Sequence, residues 1–212
     1  MISLKNIQNI SKNRWHEYAK SINDGQVHCL TYQMIPGQFN FESAYGCALE
    51  VLFKHHDFTK PLRIAEIGSY KGQSCVFLCE AILYKLMESG GWQNTHAEIE
   101  IHCIDTWEGD DGYTEEYDAN FEMFKKNLGP WSDLVYIHKT TSLEASKEFD
   151  DDYFSFVFID GDHSYKAVLQ DIEAWYPKIK ECGIIGGHDW HLPEVRTAFA
   201  KVFYRLPAIH NN

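Results

Sequence analysis

Positive charge is scarce in this 212-residue chain: 19 Lys and Arg stand against 31 Asp and Glu, giving a formal net charge of −12. No long basic stretch occurs. A dedicated nucleic-acid binder needs a basic footprint to neutralise phosphates, so that class is excluded. No apolar run reaches the ~18–20 residues that span a bilayer, and no membrane role is expected. The opening stretch MISLKNIQNISKNRWHEY lacks basic-then-apolar order, so no secretory signal is expected. No C-x-x-C pair occurs among Cys29, Cys47, Cys75, Cys79, Cys103 and Cys182. They are expected to be buried, reduced thiols, which implies a cytoplasmic setting. Repeats and low-complexity segments are also missing. What is present is ample core material, 44% hydrophobic and 15% aromatic residues, in a length suited to one domain with a small appendage.

Residues 1–60 read as a mostly helical N-terminal cap. Phe41, Ala44, Tyr45, Ala48, Leu49 and Leu52 recur at helical spacing after the Ile35-Pro36-Gly37 turn signal, with Asn40 placed to cap. From Pro61 onward the texture alternates. Strands are expected at Arg63–Ile67, Ile99–Ile104, Leu134–His138, Phe154–Ile159 and Gly183–Gly187. Helices are expected at Gly72–Met87, Asn120–Asn127, Leu143–Phe149, Tyr165–Trp175 and Pro193–Phe203. Short apolar strands between helices predict an α/β fold: a Rossmann-like, mostly parallel sheet with helices on both faces over residues 61–212. Right-handed crossovers then bring every strand's C-terminal end to one edge, where ligands bind near the switch in strand order.

The first strand runs into Glu66-Ile67-Gly68-Ser69-Tyr70-Lys71-Gly72-Gln73-Ser74. A dinucleotide fingerprint would need glycine at positions 70 and 73, where Tyr70 and Gln73 stand, and a P-loop ending is missing too. Glu66 disfavours phosphate and favours an ammonium or hydroxyl donor, while the helix start beyond Gly68 offers N–H groups to a carboxylate. The second strand ends at Asp105, where a carboxylate accepts hydrogen bonds from ribose hydroxyls. An amino-acid site beside a ribose site describes S-adenosyl-L-methionine.

Asp160-Gly161-Asp162-His163-Ser164 closes the fourth strand and Gly187-His188-Asp189-Trp190 the fifth. If these strands pair, their ends lie ~4.8 Å apart, and Asp160 and Asp189 can share a divalent cation. Hard oxygen ligands suit Mg²⁺. His188 is either a third ligand, tilting preference towards Mn²⁺ or Fe²⁺, or a hydrogen-bond partner of the ligands. Asp162 or Ser164 would cap the following helix. The Asp150-Asp151-Asp152 run, at the opposite edge, reads as a solvated turn, and the acidic 108–118 loop is either a lid or a soluble loop.

The stretches Glu66-Ile67-Gly68-Ser69, Asp105-Thr106-Trp107-Glu108-Gly109-Asp110, Asp160-Gly161-Asp162-His163-Ser164-Tyr165 and Gly186-Gly187-His188-Asp189 resemble the class I S-adenosylmethionine-dependent methyltransferases. More narrowly, they are similar to the metal-dependent group with the macrolide-sugar and aminocoumarin O-methyltransferases and the cephamycin-cluster protein. The resemblance runs from about Pro61 to Phe203. It implies that Glu66, Gly68 and Ser69 hold the methionine part, Asp105 the ribose with Trp107 beside it, and Ser142 the adenine. It places Asp160 next to the cofactor and, with Asp189, on the metal, and the base at Asp162 or His163. His188 stands where some relatives carry a carboxylate. The family sheet closes with an antiparallel hairpin, for which Tyr204–Asn212 is too short. The expectation is a trimmed sheet or a partner chain, such as a second copy, on its edge.

The function expected is transfer of a methyl group to a small hydroxylated acceptor, a sugar with neighbouring hydroxyls being one candidate, with Mg²⁺ or Mn²⁺ assisting. The alternatives are a nucleoside-cofactor-binding module without turnover and a nicotinamide-dependent oxidoreductase, the latter disfavoured by Tyr70.

Overall fold

The computed structural model describes residues 31–204, apart from 38, 58, 89–98, 109–116 and 133. Five strands form one sheet: β1 (Leu62–Ile67), β2 (Ile99–Asp105), β3 (Val135–Lys139), β4 (Phe154–Ile159) and β5 (Ile179–Gly187). The helices are α1 (Glu42–His55), α2 (Gln73–Glu88), α3 (Tyr117–Leu128), α4 (Ser142–Ser146), α5 (Tyr165–Trp175) and α6 (Pro193–Phe203). The strand order is β3-β2-β1-β4-β5 and every pairing is parallel. Strand order reverses between β1 and β4, so the binding crevice falls at their C-terminal ends.

A parallel sheet must be covered on both faces, and the strand residues divide accordingly. Ile64, Ile101, Cys103, Phe156 and Phe158 face a layer built from α1, α2 and α3. Ala65, Ile67, Ile104, Val157 and Ile159 face α4, α5 and α6. In α1, Tyr45, Ala48, Leu49 and Leu52 are buried at helical spacing, so this helix belongs to the main core.

β5 begins at Ile179, four residues earlier than its apolar pattern suggests, because its first half carries Lys180 and Glu181 and pairs across an irregularity at Phe154/Phe156. Conversely, α4 stops at Ser146 rather than Phe149, whose ring packs among Phe154 and Trp175. Three described cysteines, Cys75, Cys79 and Cys103, are buried and free, but Cys47 and Cys182 are exposed. Cys47 lies off the buried face of α1, and Cys182 sits at a left-handed turn within β5. The Asp150–Asp152 run is an exposed turn, with Asp151 paired to Lys178. Residues 1–30, most of the 108–118 loop and 205–212 carry sequence expectations that lie outside the described residues. No helix among the described residues is long and apolar enough to cross a membrane.

Candidate functional site

The β1 turn is set by a close backbone approach. Gly68 has φ of +88°, and a Cβ there would lie 2.0 Å from the Asp160 carbonyl oxygen. Only glycine leaves room for β1 and β4 to deliver their ends side by side. The Gly68 N–H donates to Ile104 O and the Asp160 N–H to Ile67 O, tying three strand ends together. Gly72 is left-handed too, with φ of +83°, and a Cβ there would lie 2.9 Å from the Phe124 ring.

Asp105 organises this turn. Its Oδ2 accepts from the backbone N–H groups of Ser69 and Tyr70, both at 2.9 Å, and its Oδ1 from that of Trp107 at 2.7 Å. The N–H groups expected to be open to a ligand carboxylate are thus taken at Ser69 and Tyr70. An ionised carboxylate has about four acceptor positions, so Oδ1 keeps one for a ligand hydroxyl. Trp107 is buried against Phe121 and Phe124, and its Nε1–H donates to Tyr70 O at 2.6 Å. It shapes the turn from behind.

Glu66 is 1% exposed. Its Oε1 accepts from the Tyr45 hydroxyl at 2.7 Å, so α1 is anchored to the floor of the crevice. Burial raises the Glu66 carboxyl above its ordinary value, opposed first by the Tyr45 hydrogen bond. Burial and then the Glu66 charge hold the Tyr45 hydroxyl well above its own, which keeps it a donor. Ser142, at the start of α4 beyond β3, accepts from Trp175 Nε1 at 2.8 Å. Next to it, Asp171 of α5 is buried and its carboxyl is pushed up to about 6 by desolvation.

β4 and β5 pair through Ile159 and Gly187, so the two acidic loops are neighbours. Asp160, His163, His188 and Asp189 each offer one atom within 4.8 Å of the others. His163 Nε2 is 2.6 Å from Asp189 Oδ2 and 3.4 Å from Asp160 Oδ1. His188 Nδ1 is 2.9 Å from Asp189 Oδ2 and 3.2 Å from Asp160 Oδ1. Asp189 itself is left-handed, φ 52°, as are Tyr70 and Trp107. Non-glycine residues in that region are held there by their surroundings, and such strain concentrates at functional sites. Asp162 is exposed, and its Oδ1 accepts from Ser164 N–H, while Ser164 Oγ caps α5.

Asn40 is not the cap of α1. The N-cap is Phe41, without a side-chain hydrogen bond, and Asn40 Oδ1 instead lies 2.8 Å from His188 Nε2. Phe41 packs on the same imidazole. An amide oxygen can only accept, so Nε2 carries a proton and donates to it. On the other side of the ring Nδ1 faces two carboxylates, 2.9 Å from Asp189 Oδ2 and 3.2 Å from Asp160 Oδ1. The donor set therefore fits a divalent cation, with Asn40 orienting His188 from behind.

Sequence reasoning did not single out Asn40, Phe41, Tyr45 or Asp171 as site residues. Asn40 is 148 positions from His188, and an asparagine before an apolar stripe reads locally as a cap. Tyr45 falls on the core stripe of its helix, which conceals its polar end.

A five-stranded parallel sheet with a glycine turn at its switch point and polar residues gathered at the strand ends defines a doubly wound domain for a small organic cofactor. Residues 65–190 match the methyltransferase domain model, and the chain belongs to that family. A crystal structure of a protein from Corynebacterium glutamicum covers 91% of this chain and 88% of its own at 13% identity with a TM-score of 0.54, which shows a shared fold. A protein from Methanococcus maripaludis, provisionally assigned as an S-adenosyl-L-methionine-dependent methyltransferase, covers 96% of this chain and 70% of its own at 15% identity and a TM-score of 0.43. The uncharacterized protein y4gI of Sinorhizobium fredii (strain NBRC 101917 / NGR234) is 28% identical over 153 residues. That match takes in 71% of this chain, which spans only 15% of the relative's length.

Proposed function

We propose that this chain transfers the methyl group of S-adenosyl-L-methionine to a hydroxyl oxygen of a small molecule, with a divalent cation held by Asp160, Asp189 and His188. Membership of the methyltransferase family supports the reaction class. The observation that carries the finer reading is the convergence of two carboxylates and two imidazoles on adjacent strand ends beside the Gly68 turn. Two carboxylates suit Mg²⁺, and the His188 imidazole makes Mn²⁺ or Fe²⁺ strong competitors. Such a cation supplies Lewis acidity, lowering the pKa of a hydroxyl that it touches. The bound cofactor supplies a methyl group on positively charged sulfur, and its passage to a hydroxyl oxygen releases one proton.

The chain's own residues do the rest. Gly68 and Ser69 shape the cofactor turn above buried Glu66, Asp105 braces it and accepts a ribose hydroxyl, and Ser142 borders the adenine end. His163 takes the proton at Nδ1, with Asp189 holding its Nε2 at 2.6 Å, as a carboxylate holds the opposite nitrogen of a general base. Asp162 is the rival base, but it is exposed and one of its oxygens closes the turn before α5.

Calorimetry and turnover with labelled cofactor test this reading. S-adenosylhomocysteine should bind, and Asp105→Ala should weaken it roughly 10–150-fold, the loss of a charged-group hydrogen bond. Chelator should abolish turnover and Mn²⁺ or Mg²⁺ restore it. His163→Ala should lose ~10²–10⁴-fold in rate with S-adenosylhomocysteine affinity intact. Tighter binding of NADH would overturn the cofactor, and full activity under chelator would overturn the cation. Full activity of His163→Ala with an inactive Asp162→Asn would move the base to Asp162.

A further inference from the structure

Beneath the Gly68 turn lies a cluster whose thiols the proposed chemistry does not use. Glu66 of β1, Cys103 of β2 and Cys75 in the first turn of α2 each offer one ligand atom, and these atoms lie within 4.8 Å of one another. Cys75 Sγ and Cys103 Sγ are 3.3 Å apart, and Cys103 Sγ is 3.9 Å from Glu66 Oε2. Cys79, one turn further along α2, hydrogen-bonds the Cys75 thiol. Cys75 and Cys103 are fully buried, and Cys79 and Glu66 are nearly so.

Two features separate this cluster from ordinary packing of small apolar thiols. First, a carboxylate stands among them. It takes hydrogen bonds from the hydroxyls of Tyr45 and Ser74, but the charge that acts on it, that of Asp160, has its own sign. Burying a carboxylate without a positive partner is costly. Second, the spacing is that of ligands. Zinc–sulfur bonds of ~2.3 Å at a tetrahedral angle set two sulfurs about 3.8 Å apart, so Cys75 and Cys103 need part by only about half an ångström to admit the ion. The start of α2 turns its positive end towards Cys75 and favours a thiolate there. Sulfur is a soft donor, so the set selects Zn²⁺ and its heavier relatives over Mg²⁺ or Mn²⁺.

We infer that Cys75, Cys79, Cys103 and Glu66 form a second cation site, for a thiophilic divalent ion of the Zn²⁺ class, separate from the hard-ligand cluster between β4 and β5. The ion ties together β1, β2 and α2, which carry both ends of the Gly68 turn. Binding displaces thiol protons to solvent and changes no oxidation state. The site stands whether or not the chain transfers a methyl group.

The test titrates Cd²⁺ into the reduced full chain with Mg²⁺ in excess and reads the ultraviolet charge-transfer absorbance of cadmium–thiolate bonds. Carboxylates and imidazoles give no such band, so Cd²⁺ on the β4–β5 cluster is silent. The band should appear and saturate in the wild type. Cys75→Ser and Cys103→Ser should each weaken Cd²⁺ at least about tenfold, the least that loss of a metal-site partner usually costs. Because both thiols are buried, a second variant avoids the core. Cys29→Ser/Cys47→Ser/Cys182→Ser removes every other thiol, Cys47 and Cys182 being exposed, and should keep the band in full. No band in the wild type overturns the site. So does its loss in the folded triple variant, or wild-type affinity in folded Cys75→Ser and Cys103→Ser.

Discussion

Asp171 and Glu100 are both buried carboxylates, yet they bind protons with opposite preferences. Desolvation first raises Asp171 from 3.8 to about 6, opposed by a hydrogen bond from Ser142 and helped by the Asp162 charge. The folded chain thus holds that proton more tightly than the unfolded one, and stability should fall as pH rises from about 4 to 6 and level off above. Asp171→Asn removes this dependence and should gain ~3 kcal/mol relative to wild type between pH 4 and pH 7. Denaturant unfolding at several pH values measures it, and a difference that does not change with pH would contradict it. Glu100 is held down to about 2 by the His102 imidazole first, with Arg63 at 2.8 Å and the Tyr153 hydroxyl adding to it. Its stabilisation should be complete above about 4.5 and lost as pH falls towards 2. Glu100→Gln should therefore melt lower than wild type at pH 7 and converge with it near pH 2.

Two elements position chemistry that they do not themselves carry. The residues leading into α1 bring Asn40 and Phe41 onto His188, and the helix brings Tyr45 onto Glu66. Asn40→Ala frees the His188 ring without touching any proposed ligand. It should weaken Mn²⁺ binding about 10–100-fold, the usual effect of removing a partner behind a metal ligand. Calorimetry reads this directly, and unchanged Mn²⁺ affinity would show that Asn40 has no orienting role. At the other junction, Gly68→Ala would place a methyl group inside the Asp160 carbonyl in a backbone conformation that costs ~1–3 kcal/mol for other residues. Lower unfolding free energy should come with weaker S-adenosylhomocysteine binding, because the same turn serves both.

For the molecule as a whole, the two apolar layers on either side of the sheet supply the core, and the polar cluster sits at its edge. Stripping divalent ions should therefore leave the chain folded. Ions that bind only the native state add RT ln(1 + [L]/Kd), about 2.7 kcal/mol at one hundred times Kd. Thermal melts should rise with Mn²⁺ concentration in the wild type and hardly move in Asp160→Asn. An equal rise in Asp160→Asn would count against a cation between β4 and β5, and unfolding on chelation would count against a core that stands without it.

The sequence by itself determined the layered α/β architecture, because alternation of continuous apolar runs with helical stripes leaves a parallel sheet as the way to bury both. It also placed Asp105, Asp160, His163, His188 and Asp189 at strand ends, since each closes an apolar run and parallel strands share one edge. Helix and strand limits drifted where polar residues entered a strand, as at Lys180 and Glu181 of β5. What only the tertiary structure decided is who meets whom. Asn40 reads as a helix cap until the fold brings His188 within 2.8 Å. Glu66 reads as an open strand-end carboxylate until α1 closes over it with Tyr45. Asp105 reads as a free acceptor until the Gly68 turn brings the Ser69 and Tyr70 N–H groups onto it. Local spacing sets periodicity and therefore elements, whereas these hydrogen bonds join positions far apart in the chain and exist only once the sheet has ordered its strands.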